Sequence, residues 1–228
     1  MPNRAPLVLA LALLGACAGA GTSRPSASAG DGWVSIFNGR DLTGWRPNRT
    51  PEAFSVRDSV MRVNAVEGSS HMFYVGSGSG PFERIKNFEL ELEARSDPSS
   101  NSGIYFHGDP ATAGGREHFM SKGYEVQLNN TAIEPKKTGS LYGVVDLPAS
   151  PVDDTKWFTM RIRVNGKRVG VWTDGKQVID YVEPDGVESM PGRAQKRMDP
   201  NGGGIAIQAH DPKSVWYFRS IRLRRLPD

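Results

Sequence analysis

The chain has 228 residues, with 26 Gly, 16 Pro and a hydrophobic fraction of 38%, a turn-rich mixture that excludes a helical bundle and suits a β-rich protein. The formal charge is only +3, and the basic residues are scattered rather than arranged in runs. Lys136-Lys137 and Arg222, Arg224 and Arg225 are the nearest things to a patch, so the pattern argues against a nucleic-acid partner.

The first seventeen residues, MPNRAPLVLALALLGAC, read as a targeting segment: Arg4 is a short basic region, residues 7–14 are apolar, and small residues follow. The apolar run is too short to cross a bilayer as a mature helix. Leu14-Gly15-Ala16-Cys17 is similar to the bacterial lipobox, in which the cysteine is acylated after cleavage just before it. An ordinary signal peptide cut near Ala16 to Ala20 is the alternative, and the single cysteine of the chain favours the lipobox, because an exported lone thiol has no pairing partner. Residues 1–16 are therefore expected to be a lipoprotein signal peptide, and 17–30 the lipidated Cys17 with a small, polar tether. The expected location is the bacterial cell envelope, at the periplasm or outer membrane, with the lipid as the only membrane contact.

From Trp33 onward, runs of alternating, β-branched and aromatic residues follow one another: WVSIF, FSVRDSVMRVN, HMFYV, KNFELELEAR, SGIYFHG, GYEVQLNN, SLYGVV, a long stretch over 156–182, GGIAIQAH and VWYFRSIRLRRL. Within 156–182, NGK at 165–167 and DGK at 174–176 predict two tight hairpin turns and a three-stranded meander. Helical periodicity is confined to a turn near 112–121. This spacing of short strands without disulfides predicts an all-β, two-sheet antiparallel sandwich spanning 31–228 as one domain. The five Trp residues fall in or beside strand runs and are expected in the core.

Period-2 parity sorts the strands into faces. Phe88, Leu90, Leu92 and Ala94 point inward, and Glu89, Glu91, Glu93 and Arg95 outward. Ile104 and Phe106 point inward, leaving Asn101, Gly103, Tyr105 and His107 on the other side. Ile205, Ile207 and Ala209 point inward, leaving Gln208 and His210. In GYEVQLNN, Glu125, Gln127 and Asn129 share one face. Amides, aromatics and a few charged groups in this combination suit the hydroxyls of sugars. Glu125, His107 and His210 are the candidate catalytic groups. Arg95, Asn101, Tyr105, Gln127, Asn129, Lys137, Tyr142 and Gln208 are the candidate substrate contacts. His107, His210 and Glu125 also amount to a two-His, one-carboxylate set able to hold a divalent metal ion, although their spacing does not demand one.

WVSIFNGRDLTGW, the NFELELEAR and NSGIYFHGD pair, GYEVQLNN, TGSLYG, the meander and GGGIAIQAHD followed by VWYFRSIRLRRL together resemble the 3-keto-disaccharide hydrolase domain over about 33–226. The resemblance implies a concanavalin A-like jelly roll with the ligand site on its concave sheet, in an exported bacterial protein acting on glycosides already oxidised at C3. Family members often carry Arg where this chain has His107, and Asp where it has Asn129. Retaining glycosidases need two carboxylates about 5 Å apart, whereas two of the three alternate positions here, Gln127 and Asn129, are amides. Elimination from a 3-keto sugar needs only one base to take the acidified C2 proton, a group to hold the enolate oxygen, and a proton for the leaving group. Glu125 or His107 is expected as base, with His210 or a bound cation on the oxyanion and Tyr105 or Tyr142 as acid. The rival expectation, from the same amide-rich face, is a non-catalytic, lectin-like surface lipoprotein.

Overall fold

The computed structural model describes Met1 and residues 31–114, 119–186 and 197–228; the rest of the expected signal segment, Cys17 and the expected tether lie outside the described residues. Residues 32–228 cluster as one unit. The chain enters through β1 (Val34–Ser35) and β2 (Trp45–Pro47). It then forms the hairpin β3 (Phe54–Arg57) and β4 (Val60–Asn64), turned by Asp58 and Ser59, both at positive φ. Next come β5 (Ser70–Tyr74), β6 (Phe88–Ser96) and β7 (Asn101–Gly108). The short strands β8 (Ala113–Gly114) and β9 (Phe119–Met120) pair with each other before β10 (Tyr124–Asn129).

The meander forms as expected, from β11 (Phe158–Asn165), β12 (Arg168–Thr173) and β13 (Lys176–Val182). Asp174 and Gly175 both have positive φ between the paired residues Thr173 and Lys176, which is the backbone a two-residue hairpin needs to match the twist of its strands. β14 (Gly204–Ala209) and β15 (Val215–Arg225) complete the chain.

These strands make the two antiparallel sheets of a sandwich. One runs β13-β12-β11-β6-β15-β4-β3 with β1 added on β15, and the other runs β10-β7-β14-β5-β2. Phe88, Leu90, Leu92 and Ala94 of β6 meet Ile104, Phe106, Val126, Leu128, Ile205 and Ile207 in a single buried cluster, as period-2 alternation dictates. On the outer face of the larger sheet, the β6 carboxylates pair with arginines across the ladder: Glu89 with Arg224, Glu91 with Arg222, and Glu93 with Arg219.

Three expectations change. Trp45 and Trp216 are buried, but Trp33, Trp157 and Trp172 lie half-exposed on the outer face under arginine side chains, where the flat guanidinium stacks on the indole. SLYGVV is a turn held by isolated bridges from Leu141 to Val126 and Val145, because Gly143 takes positive φ and its N–H is capped by Asp146 at 2.8 Å. The turn expected near 112–121 is a single 3-10 turn at Pro110–Thr112, capped by Asp109, followed by the β8–β9 pair.

Candidate functional site

The outward face of the five-stranded sheet is organised in rows by strand register. β10 sets Glu125 opposite Tyr105, Gln127 opposite Gly103 and Asn129 opposite Asn101 of β7. β14 sets Ala206 beside Tyr105, and β5 adds Phe73 beside Ala206 and His71 beside Gln208. Parity thus brings Glu125, Gln127, Asn101, Tyr105 and Gln208 onto one surface, with His210 just past the end of β14.

Glu125 is almost fully buried and its carboxylate leans across the sheet onto Gly103, where a β-carbon would come within 2.9 Å of its Cγ and Cδ. That reach ends at Tyr105, whose hydroxyl donates to Glu125 Oε2 at 2.6 Å. Gln208 Nε2 donates to Ser69 Oγ at 3.0 Å and more weakly to the Tyr105 oxygen at 3.4 Å. Gln127 Nε2 donates to Asn101 Oδ1 at 3.0 Å, and Asn101 Nδ2 to Asp211 Oδ2 at 3.2 Å. The amide oxygens of Gln127 and Gln208 are buried with no protein donor, an arrangement that costs about 1–3 kcal/mol each unless a ligand supplies one.

Asp211 carries the chain of contacts to His210, with Oδ1 2.7 Å from Nδ1. Burial works against the His210 imidazolium, but the Asp211 carboxylate, helped by the charges of Glu125 and Glu134, outweighs it and raises the pKa above the ordinary histidine value. The same contact holds the Asp211 carboxyl below its usual range. Phe119 of β9 lies over His210 with ring centroids 5.1 Å apart. Tyr142 closes the remaining side, its N–H donating to Glu125 O at 2.9 Å and its hydroxyl to Glu134 Oε2 at 3.2 Å. The result is a small pocket lined by Tyr105, Phe119, Glu125, Gln127, Tyr142 and His210, with one carboxylate, one imidazole and two phenols.

Four expected site residues lie elsewhere. His107 is turned out of the row: it takes φ 54° where the β7–β14 register shifts. Its ring is consumed by backbone, Nε2 donating to Lys86 O at 2.8 Å and Nδ1 accepting from Asp199 N at 3.1 Å. Both nitrogens of a neutral ring are then satisfied, and burial lowers its pKa. The two-His, one-carboxylate set is therefore not assembled, and no group of three or more His, Cys, Asp or Glu among the described residues is placed to hold a metal ion. Arg95 belongs to β6 on the other sheet, packed 4.1 Å from the Tyr217 ring and 5.3 Å from Trp157; parity fixes a face but not which sheet carries it.

Asn129 and Lys137 serve the backbone of the 131–136 loop. Asn129 Nδ2 donates to Glu134 O and Lys136 O at 2.9 and 2.8 Å, and its Oδ1 accepts from Thr131 N at 2.9 Å. Lys137 Nζ donates to Glu134 O at 2.6 Å and to Thr131 O. Sequence reasoning missed Asp211, His71 and Phe119. A His-Asp pair at a strand end was the available signal for Asp211. His71, buried edge-on to Tyr105 at 4.9 Å, shares the alternation of HMFYV, while nothing local marks Phe119 as a cover.

A family model described as the 3-keto-alpha-glucoside-1,2-lyase-like domain matches residues 32–224. The 3-keto-disaccharide hydrolase of Bacteroides thetaiotaomicron is 25% identical, with 66% of this chain and 59% of that protein aligned; the chain thus spans less than two thirds of that relative's length. A solved Parabacteroides distasonis protein, named as a candidate glycosyl hydrolase, superposes with a TM-score of 0.68 at 21% identity, covering 86% of this chain and 94% of that one. A Bacillus subtilis protein of unknown function with a galectin-like fold gives 0.55 at 14% identity, covering 85% and 94%. The two solved structures speak for the sandwich fold alone.

Proposed function

Because the chain belongs to the 3-keto-alpha-glucoside-1,2-lyase-like domain family, and its pocket holds a single carboxylate beside a histidine paired with Asp211, we propose that it cleaves 3-keto-glycosides by elimination and hydration. The observation that carries this reading is the lone Glu125. Double displacement needs a second carboxyl group about 5 Å away, and the pocket lining has none.

In this reading Glu125 takes the C2 proton, and the electron pair forms a C2–C3 double bond with negative charge on the C3 oxygen. The enolate then expels the C1 substituent, whose oxygen takes a proton. Water adds at C1 and a proton returns to C2, giving the free 3-keto sugar. The Tyr105 hydroxyl orients the Glu125 carboxylate, and His210, whose imidazolium form the Asp211 contact favours, supplies positive charge to the oxyanion. Tyr142, which lines the same pocket, is the proton donor to the leaving group. Gln127 lines the pocket, and its unpartnered amide oxygen accepts from a sugar hydroxyl. Acylation of Cys17 would tether the enzyme to the envelope, and metabolic labelling with palmitate tests that part.

Incubating the domain with a 3-keto-glucoside and following release of the free 3-keto sugar tests the reaction. Glu125→Gln should abolish turnover while retaining sugar affinity. Saturable binding by the wild-type protein without turnover would instead establish the lectin-like reading.

A further inference from the structure

The outer face of the larger sheet carries three half-exposed indoles, and two of them are covered. Trp33 lies under the guanidinium groups of Arg222 and Arg224, and Trp157 under those of Arg95 and Arg219. Among the described residues, Trp172 meets one guanidinium alone, that of its cross-strand neighbour Arg161, 4.5 Å from the ring. Beside it opens a cleft of about 400 Å³, large enough for one pyranose ring.

β12 builds the floor of this cleft. Gly170 and Trp172 share a face, and a β-carbon on Gly170 would come within 2.6 Å of Trp172 Cζ3 and closer still to Cη2. Glycine therefore lets the indole settle along its own strand and leaves an unfilled place in the middle of the meander. Register sets Arg163 of β11 and Asp180 of β13 on either side of Gly170. Arg168 reaches across to Asp180 with two bonds, from Nε at 2.7 Å and Nη2 at 2.5 Å, so the charges of that pair cancel.

Arg163 is not closed off in this way. Glu91 and Glu93 each hold an arginine directly, and Glu89 holds Arg224 through Oε2. The other Glu89 oxygen stands 3.6 Å from Arg163 Nε, beyond hydrogen-bond reach. The terminal nitrogens of Arg163 and the side-chain amide of Asn165, which line the cleft, have no hydrogen-bond partner among the described residues. The walls thus combine an indole, an uncommitted planar cation and a free amide. An acidic sugar answers all three: its C–H face packs on the indole, its hydroxyls pair with the amide, and its carboxylate accepts from the guanidinium fork.

We propose that this outer cleft is a second carbohydrate site, separate from the Glu125 pocket, and that it holds a uronic-acid residue of a glycan. The two sites belong to opposite sheets, so both can be occupied at once, and the inference does not depend on the cleavage reading.

The test titrates the wild-type protein with methyl β-glucuronide and with methyl β-glucoside, which differ only at C6. Binding is followed by the Trp172 indole N–H resonance, identified by its loss in Trp172→Phe. The expected result is a saturable shift with the glucuronide and a Kd at least about tenfold lower than for the glucoside. Arg163→Gln, at an exposed position, should erase that difference, and Glu125→Gln should leave the glucuronide Kd unchanged. No shift of the Trp172 resonance, equal affinity for the two sugars, or a preference that survives Arg163→Gln overturns the proposal. A shift that disappears in Glu125→Gln would place the sugar in the other pocket and overturn it as well.

Discussion

Gly103 is the position at which fold and chemistry can be pulled apart. Its backbone is not in the left-handed region, so alanine fits the strand conformation, and the difficulty is purely one of space. A β-carbon there would lie 2.9 Å from Glu125 Cγ and Cδ and closer still to Oε1. Ordinary contact then requires the Glu125 side chain to withdraw by about 1 Å, which breaks the 2.6 Å bond from Tyr105. Losing a hydrogen bond to a charged acceptor costs about 1.5–3 kcal/mol, and overpacking costs about 1–3 kcal/mol. The two are alternative ways of absorbing the same methyl group, so Gly103→Ala should destabilise the fold by no more than about 3 kcal/mol. A base displaced by about 1 Å loses on the order of 100-fold in rate. Urea denaturation monitored by Trp fluorescence gives the first quantity, and initial rates on a 3-keto-glucoside give the second. A folded Gly103→Ala protein with wild-type turnover would refute the claim that Glu125 acts from its place against Tyr105.

The remaining predictions concern the histidines and the loop clamp. The His210 pKa is raised in the fold, so its charged form, and any rate that depends on it, should be lost only as pH climbs above the ordinary histidine value near 6.5. In Asp211→Asn the burial effect is left with less opposition, and the basic limb of the pH–kcat/KM profile should move to lower pH. For His107 the sign is opposite. Its pKa is lowered, so the unfolded state binds the proton first and stability should fall as pH drops below about 6.5; His107→Gln should flatten that slope in denaturant titrations. Asn129→Ala leaves the carbonyls of Glu134 and Lys136 without their donor and should cost about 2–4 kcal/mol, with faster amide exchange confined to the 131–136 loop.

The alternation of β6, β7, β10 and β14 made the inner and outer faces legible before any coordinates, and Glu125, Tyr105, Gln127 and Gln208 lie where parity places them. What parity could not supply is the long-range pairing. Arg95 obeys the alternation of β6 but sits in the other sheet, because strand partners are chosen by topology rather than by local pattern. His107 fails for a different reason. A β-carbon on Gly203 would lie within 2.6–2.8 Å of the His107 backbone, so the glycine run at 202–204 allows a close approach that shifts the register and rotates His107 away. The run was visible in the sequence, but its meaning depends on knowing that β14 lies beside β7. Asn129 has the parity of a binding residue, and only the fold of the following loop shows that its amide is already occupied.

The Asn129 clamp also constrains how this protein can diverge from its relatives. The side chain spends both donors on carbonyls and its oxygen on an N–H, a pattern that aspartate cannot copy. A single Asn-to-Asp change would aim a carboxylate at the Glu134 and Lys136 carbonyl oxygens, acceptor against acceptor, and drive the segment off its perch. Homologues bearing Asp at this site must therefore trace a different path through 131–136, and the two features have to be inherited as a set.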